Sequence, residues 1–286
     1  MPTLRTRDDT TLFYRDWGTG APIVFCHAWA MSGDMWQYQM NALAERGFRT
    51  VAPDRRGHGR SDDPGTGFDY DTLADDLAAL LDTLDLRDVT FVAHSFAGGE
   101  VVRYLTRHGA ERVARVAFVA ATLPCLLQRA DNPDGVDGAV FEAVRDQWRA
   151  DFGAWIAAGA DGYVGRGLPG CDVSDLLVDW QIRDMLRASL RAVIATNEAM
   201  VDADFRDELR QLAVRALVVH GDHDLSAPFD LTGRRTAALV PNGELVLYEH
   251  APHGLYLTHR DRLTRDLAAF AGQVEGRAGS GRPTAA

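Results

Sequence analysis

The chain has 286 residues, 46% of them hydrophobic and 25% charged, the balance of a globular protein and too apolar for a disordered one. Thirty basic against 41 acidic side chains leave a net charge of −11, which disfavours binding to nucleic-acid phosphates or to anionic membrane surfaces. Every basic residue is an arginine, so a lysine Schiff base, a pyridoxal-phosphate linkage and a P-loop lysine are all excluded.

A chain of this length buries about three quarters of its unfolded surface, so its core needs no metal or disulfide. Cys26, Cys125 and Cys171 are odd in number, far apart and not spaced as metal-ligand pairs, and they read as reduced thiols. The first residues lack the apolar segment of a secretory signal, and no stretch approaches the ~18 uninterrupted apolar residues of a membrane span. A cytoplasmic protein is expected, with no cofactor indicated and the oligomeric state left open.

In chain order, residues 3–6 and 11–17 read as strands of an edge hairpin turning at Asp8-Asp9. The runs Ile23–Cys26, Val89–Ala93, Val116–Ala120 and Ala216–Val219 are nearly continuous in apolar residues, as strands buried on both faces are. Between them Tyr70, Leu73, Leu77, Leu80, Leu81 and Leu84 fall on one helical stripe, with Asp69 or Asp71 placed to cap its first turn. This alternation predicts an α/β fold with a mostly parallel, doubly wound sheet. From Thr122 to Ala213 the alternation gives way to helical patterns broken by the glycine-rich stretch 159–170, so the sequence divides into a core (1–121 and 214–272), an inserted helical cap (122–213) and a small, polar, glycine-rich tail (273–286) expected to be disordered.

Three segments carry chemistry. Val92-Ala-His-Ser-Phe-Ala-Gly-Gly-Glu100 ends a buried strand and opens a helix, the context of a nucleophile elbow, with Ser95 between small residues at 93 and 97. His220-Gly-Asp-His-Asp-Leu-Ser-Ala-Pro228 and Glu249-His-Ala-Pro-His-Gly254 follow later strands. In a doubly wound sheet, ligand sites form outside the carboxyl ends of the strands, so Ser95, an aspartate from 222–224 and a histidine from 250–253 are expected to converge there.

With these segments, Phe25-Cys-His-Ala-Trp29, residues 31–40 and Ala52-Pro-Asp-Arg-Arg-Gly-His-Gly-Arg-Ser-Asp62, nearly the whole chain resembles an α/β-hydrolase of the cofactor-free (non-haem) haloperoxidase and arylesterase group. The resemblance implies Ser95 as nucleophile, Asp224 as acid with Asp222 as runner-up, and His253 as base, leaving His250 at the surface or in a supporting place. It also implies an oxyanion hole made by the backbone N–H groups of Trp29 and Phe96, with the Trp29 ring packing the pocket. His27 would support the oxyanion loop, and the loop from Asp54 to Ser61 would be structural.

The sequence departs from the family pattern where Ala28, Ala93 and Ala97 replace glycines and Ala30 replaces a proline common in peracid-forming relatives. These changes imply a reshaped oxyanion loop and elbow, and Phe96, in place of the usual methionine, implies a bulkier acyl side. His94 and Glu100 are read as packing and hydrogen bonding around the elbow. Trp148, Trp155 and Trp180 are read as cap core. The leading expectation is a serine hydrolase acting on a small to medium carboxylic ester or lactone, without metal or cofactor. Perhydrolysis by the same triad is one alternative, and a non-hydrolytic lyase, cyclase or ligand-binding protein on the same fold is another.

Overall fold

The computed structural model describes residues 1–272; the expected tail at 273–286 lies outside the described residues. The strands are β1 (Thr3–Arg5), β2 (Thr11–Trp17), β3 (Pro22–Cys26), β4 (Arg49–Pro53), β5 (Val89–His94), β6 (Val113–Val119), β7 (Arg215–Gly221) and β8 (Gly243–Tyr248). They lie in the order β1-β2-β4-β3-β5-β6-β7-β8. The expected hairpin forms, with Asp9 in the left-handed region at φ 67°. It joins β4 through an antiparallel pairing of β2, and every later pairing is parallel.

The apolar runs form strands because successive residues serve opposite faces. Val24, Phe91, Ala93, Val116, Phe118, Ala216 and Val218 enter one core. Their neighbours Ile23, Phe25, Val92, Ala117, Val119, Leu217 and Val219 enter the other. The helices are α1 (Gln37–Ala44), α2 (Tyr70–Thr83), α3 (Ala97–His108), α4 (Gly138–Tyr163), α5 (Asp175–Met185), α6 (Leu190–Asp202), α7 (Arg206–Arg210), α8 (Gly233–Leu239), α9 (Leu255–Thr258) and α10 (Arg260–Gly272). The stripe of α2 packs with Val101, Val102 and Tyr104 of α3 in the first core. Met40 and Leu43 of α1 meet Leu263, Leu267 and Phe270 of α10 in the second. Of the two capping aspartates, Asp69 takes the position, accepting from the Thr72 N–H at 2.9 Å; Asp71 pairs instead with Arg103 and Arg107.

Between β6 and β7 the chain forms α4 to α7. Here the sequence reading needs correction: α4 runs through Gly159 and Gly162, and its irregularity falls at Asp151 (φ −159°, ψ 90°). The Asp151 carboxylate accepts from the Ala154 N–H at 2.8 Å and so restarts the helix. A helical glycine costs only ~1 kcal/mol relative to alanine, and the glycine-rich stretch breaks the helix only beyond Tyr163, where Gly165, Gly167 and Gly170 take positive φ. Phe205, Leu209 and Leu212 pack in the first sheet core. All three cysteines are free and buried, and no helix among the described residues is long and apolar enough to cross a membrane.

Candidate active site

Four strand ends deliver the site. β5 stops at His94, and Ser95 follows with φ 56°, a left-handed conformation that an L-residue adopts only under constraint. Its N–H donates to the Val119 carbonyl at 3.1 Å, and its own carbonyl accepts from Gly98 and Thr122. Ala93 and Ala97 are wholly buried, and closeness is relieved further along α3. A Cβ at Gly99 would lie 2.5 Å from the Tyr70 ring, and one at Gly98 2.9 Å from Ala121.

The loops after β7 and β8 bring Asp224 and His253 to this serine. His253 Nε2 lies 3.0 Å from Ser95 Oγ, and its Nδ1–H donates to Asp224 Oδ2 at 2.7 Å. The other Asp224 oxygen accepts from the Ser226 and Ala227 N–H groups at 2.9 and 2.7 Å. Burial alone would push this carboxyl up, but the His253 and His220 imidazoles hold it well below the usual carboxylate range. Asp222, the alternative acid, faces outward and pairs with His223 at 2.7 Å. His250 is exposed and lies beside His223. Ser95, Asp224 and His253 are each 4–5% exposed.

His220 was not singled out by its sequence position, yet its Nε2 lies 3.4 Å from Asp224 Oδ2. His94 supports the same relay from below: its Nε2–H donates to the His253 carbonyl at 3.0 Å. Burial, with His253 close by, pushes His94 down to about 3. It packs and bonds around the elbow, as read from the sequence.

The loop after β3 carries Trp29. His27 Nε2 accepts from the Arg55 backbone N–H at 2.9 Å, which leaves Nδ1–H to donate to the Ala28 carbonyl at 2.8 Å. That carbonyl and the Trp29 N–H are two ends of one peptide unit, so the bond fixes its plane and polarises the N–H. The Arg55 guanidinium donates to the His27 and Ala28 carbonyls at 2.8 and 3.4 Å and pairs with Glu100. Neither the Trp29 nor the Phe96 backbone N–H meets a protein acceptor among the described residues. The Trp29 indole donates to the Val193 carbonyl at 2.8 Å and packs on Trp148, ring centroids 4.5 Å apart, with Phe152 and Trp155 around it. Trp180 instead meets Tyr38.

One side-chain reading is overturned. The Phe96 ring is fully buried, stacked on Tyr70 at 4.8 Å on an interplanar angle of 17°, with the Arg55 guanidinium 4.7 Å from its centroid. It therefore belongs to the core beneath the elbow and does not make the acyl side bulkier. The Asp54–Ser61 loop is an internal brace: buried Asp54 accepts from the Gly33 and Arg60 N–H groups at 2.8 Å each, and a Cβ at Gly59 would lie 2.3 Å from its carboxylate. No group of His, Cys, Asp and Glu among the described residues could hold a metal ion.

Residues 21–156 match the model of the alpha/beta hydrolase fold family. The chain is 39% identical to a non-heme chloroperoxidase, CPO-A1, of Kitasatospora aureofaciens over 94% of this chain and 99% of that one. It is 36% identical to the bifunctional esterase/perhydrolase DCH of Acinetobacter calcoaceticus, with the same coverage of each. The solved structure of the esterase EaEST from Exiguobacterium antarcticum superposes with a TM-score of 0.90 at 28% identity, covering 95% of this chain and 99% of that one. The chain belongs to the α/β-hydrolases, in the non-haem haloperoxidase group, and is an enzyme of that class.

Two predictions follow from the loops. Ala30 sits at φ 59°, a conformation closed to proline, whose ring holds φ near −65°. Ala30→Pro is expected to disrupt the Trp29 loop and lower the melting temperature by several degrees, whereas Ala30→Gly stays within about 1 kcal/mol of wild type; thermal unfolding of both variants checks this. His27, His58 and His94 are each at most 1% exposed. Burial pushes His27 well down, and His58 and His94 to about 3. The unfolded chain binds these protons near pH 6.5 and the folded chain does not, so stability is fully present above that pH and is lost progressively as pH falls below it. Urea midpoints between pH 7.5 and 5 should fall accordingly, and a flat profile would contradict the burial of neutral imidazoles.

Proposed function

We propose that this enzyme is a serine hydrolase of small to medium carboxylic esters or lactones, working through Ser95, His253 and Asp224. The observation that carries the reading is the continuous hydrogen-bonded relay from Ser95 Oγ through His253 to Asp224 Oδ2. In this reading His253 Nε2 takes the Ser95 hydroxyl proton as Oγ attacks the substrate carbonyl carbon. Asp224 holds the imidazole in the required tautomer and balances the imidazolium. The carbonyl oxygen, now negative, accepts from the Trp29 and Phe96 N–H groups, each worth ~3 kcal/mol in such a transition state. His253 then protonates the departing alkoxide, and the same imidazole deprotonates the water that releases the acyl group. Residues 122–213 act as a cap over a core of 1–121 and 214–272.

Perhydrolysis is a second reading, favoured by the similarity to chloroperoxidases and to an esterase/perhydrolase. Hydrogen peroxide then replaces water on the acyl-enzyme and leaves as a peracid. Ala30, standing where peracid-forming relatives commonly carry proline, argues that this route is the weaker one. Nothing in the site favours a non-hydrolytic role.

Both readings meet in one experiment: hydrolysis of p-nitrophenyl esters from acetate to octanoate and of aryl lactones, with bromination in acetate and peroxide measured in parallel. Ser95→Ala should lower kcat by about 10⁵-fold with the fold intact. A folded Ser95→Ala protein that keeps the wild-type rate refutes the relay as the catalytic machinery. A bromination signal lost with Ser95 supports perhydrolysis, and one that persists removes it.

A further inference from the structure

Helix α5 meets the oxyanion loop and α9, which follows His253, through side chains no motif marks. Gln181 and Asp184, one turn apart, are 4% and 5% exposed. Asp184 takes two hydrogen bonds from one residue of the oxyanion loop: the Ser32 N–H donates to Oδ2 at 2.9 Å and the Ser32 hydroxyl to Oδ1 at 2.6 Å. Gln181 Oε1 accepts from the Tyr256 hydroxyl at 2.6 Å. Tyr256 follows His253 by three residues, as Ser32 follows Trp29. The same Tyr256 hydroxyl lies 3.4 Å from Met31 Sδ, so the two grips meet in the oxyanion loop.

Adhesion does not require these groups. Val178, Ile182 and Met185 already give α5 an apolar footing in the second core, and a carboxylate is costly to bury. What a carboxylate supplies, and an aliphatic side chain lacks, is a fixed pair of acceptor directions. Below Ser32 the core holds the next residue by its own grip, the Gly33 N–H on Asp54 at 2.8 Å. Residues 32 and 33 are therefore each held by a buried carboxylate, one from the helical insertion and one from the loop after β4.

We propose that Asp184, seconded by Gln181, is a positioning residue of the oxyanion hole: α5 sets the height and tilt of the Trp29 N–H through its two-point grip on Ser32. This rests on the assignment of Ser95 and Trp29 given above. The grip acts on where a developing oxyanion is met, and so it affects the transition state more than the bound ester.

The test is steady-state kinetics on p-nitrophenyl acetate. Asn at position 184 keeps one acceptor for Ser32 but turns the other oxygen into an NH2 donor, so the Ser32 hydroxyl must change from donor to acceptor beside the Asp34 N–H it already accepts from at 3.2 Å. Asp184→Asn is therefore expected to lower kcat roughly 10- to 100-fold with KM within about twofold of wild type, in protein folded at the assay temperature by circular dichroism. Exposed Asp179, on the same helix, serves as the control, and Asp179→Asn should keep the wild-type kcat. Ser32→Ala should lower kcat less, and the double variant should be no slower than Asp184→Asn alone, since both remove one interaction. A kcat within twofold of wild type for Asp184→Asn, or a risen KM with kcat intact, overturns the inference. If Asp184→Asn does not fold, Ser32→Ala decides, and a wild-type kcat there overturns it equally. Wild-type turnover that Ser95→Ala leaves untouched overturns the hydrolase reading itself, whereas Ser95-dependent turnover that Asp184→Asn leaves intact overturns this inference alone.

Discussion

A single buried guanidinium organises the floor of the site. Arg55 is 6% exposed, yet it reaches the carbonyls behind Trp29, the ring of Phe96 and the carboxylate of Glu100 on α3. Both amides assigned to the oxyanion hole are thus referred to one rigid, planar cation. Such an ion pair stands only because its hydrogen bonds are filled: with Glu100 lost, an unpaired buried charge would cost about 3–5 kcal/mol. The backbone N–H of the same arginine also sets the His27 tautomer, so charge and geometry are fixed from one residue.

Around this point the fold separates two tasks. Strands buried on both faces make a scaffold with little freedom, and Ser95, Asp224, His253 and Trp29 occupy the loops at its carboxyl edge. Strained backbone occurs in those loops as well as at Asp9, Asp85 and Asp88 elsewhere in the fold. Ser95 and Ala30 both sit in the left-handed region, each held by neighbours with no room to yield. The three alanines standing for glycines are absorbed: Ala28, Ala93 and Ala97 are buried, and the close approaches of α3 pass to Gly98 and Gly99.

Much of this was legible in the sequence because it is local. The apolar runs fixed their strands, the α2 stripe its helix, and the motif around Ser95 its elbow. The choice of Asp224 over Asp222 needed the family pattern, and the structure separates the two by direction, one inward to His253 and one outward to His223. Side-chain aim was not legible. Phe96 follows Ser95 and was read as making the acyl side bulkier, but the turn at Ser95 sends its ring down onto Tyr70. The contact of Ser32 with Asp184 spans 152 residues of sequence and follows no periodicity, so only the folded chain shows it. The α4 glycines misled because a helix tolerates a glycine that its surroundings do not exploit.

The guanidinium that holds Arg55 to Glu100 is typical of the chain's ion pairs: Arg56 with Asp76, Arg60 with Asp54 and Arg103 with Glu208 are built the same way. A guanidinium stays protonated at any working pH and is a poor acyl acceptor, whereas an ε-amine is a good one. A protein that charges itself only with arginine offers no side-chain amine to acylating agents such as lactones or activated esters. The side chains that give the surface its positive charge are thus ones that esters and lactones do not readily acylate.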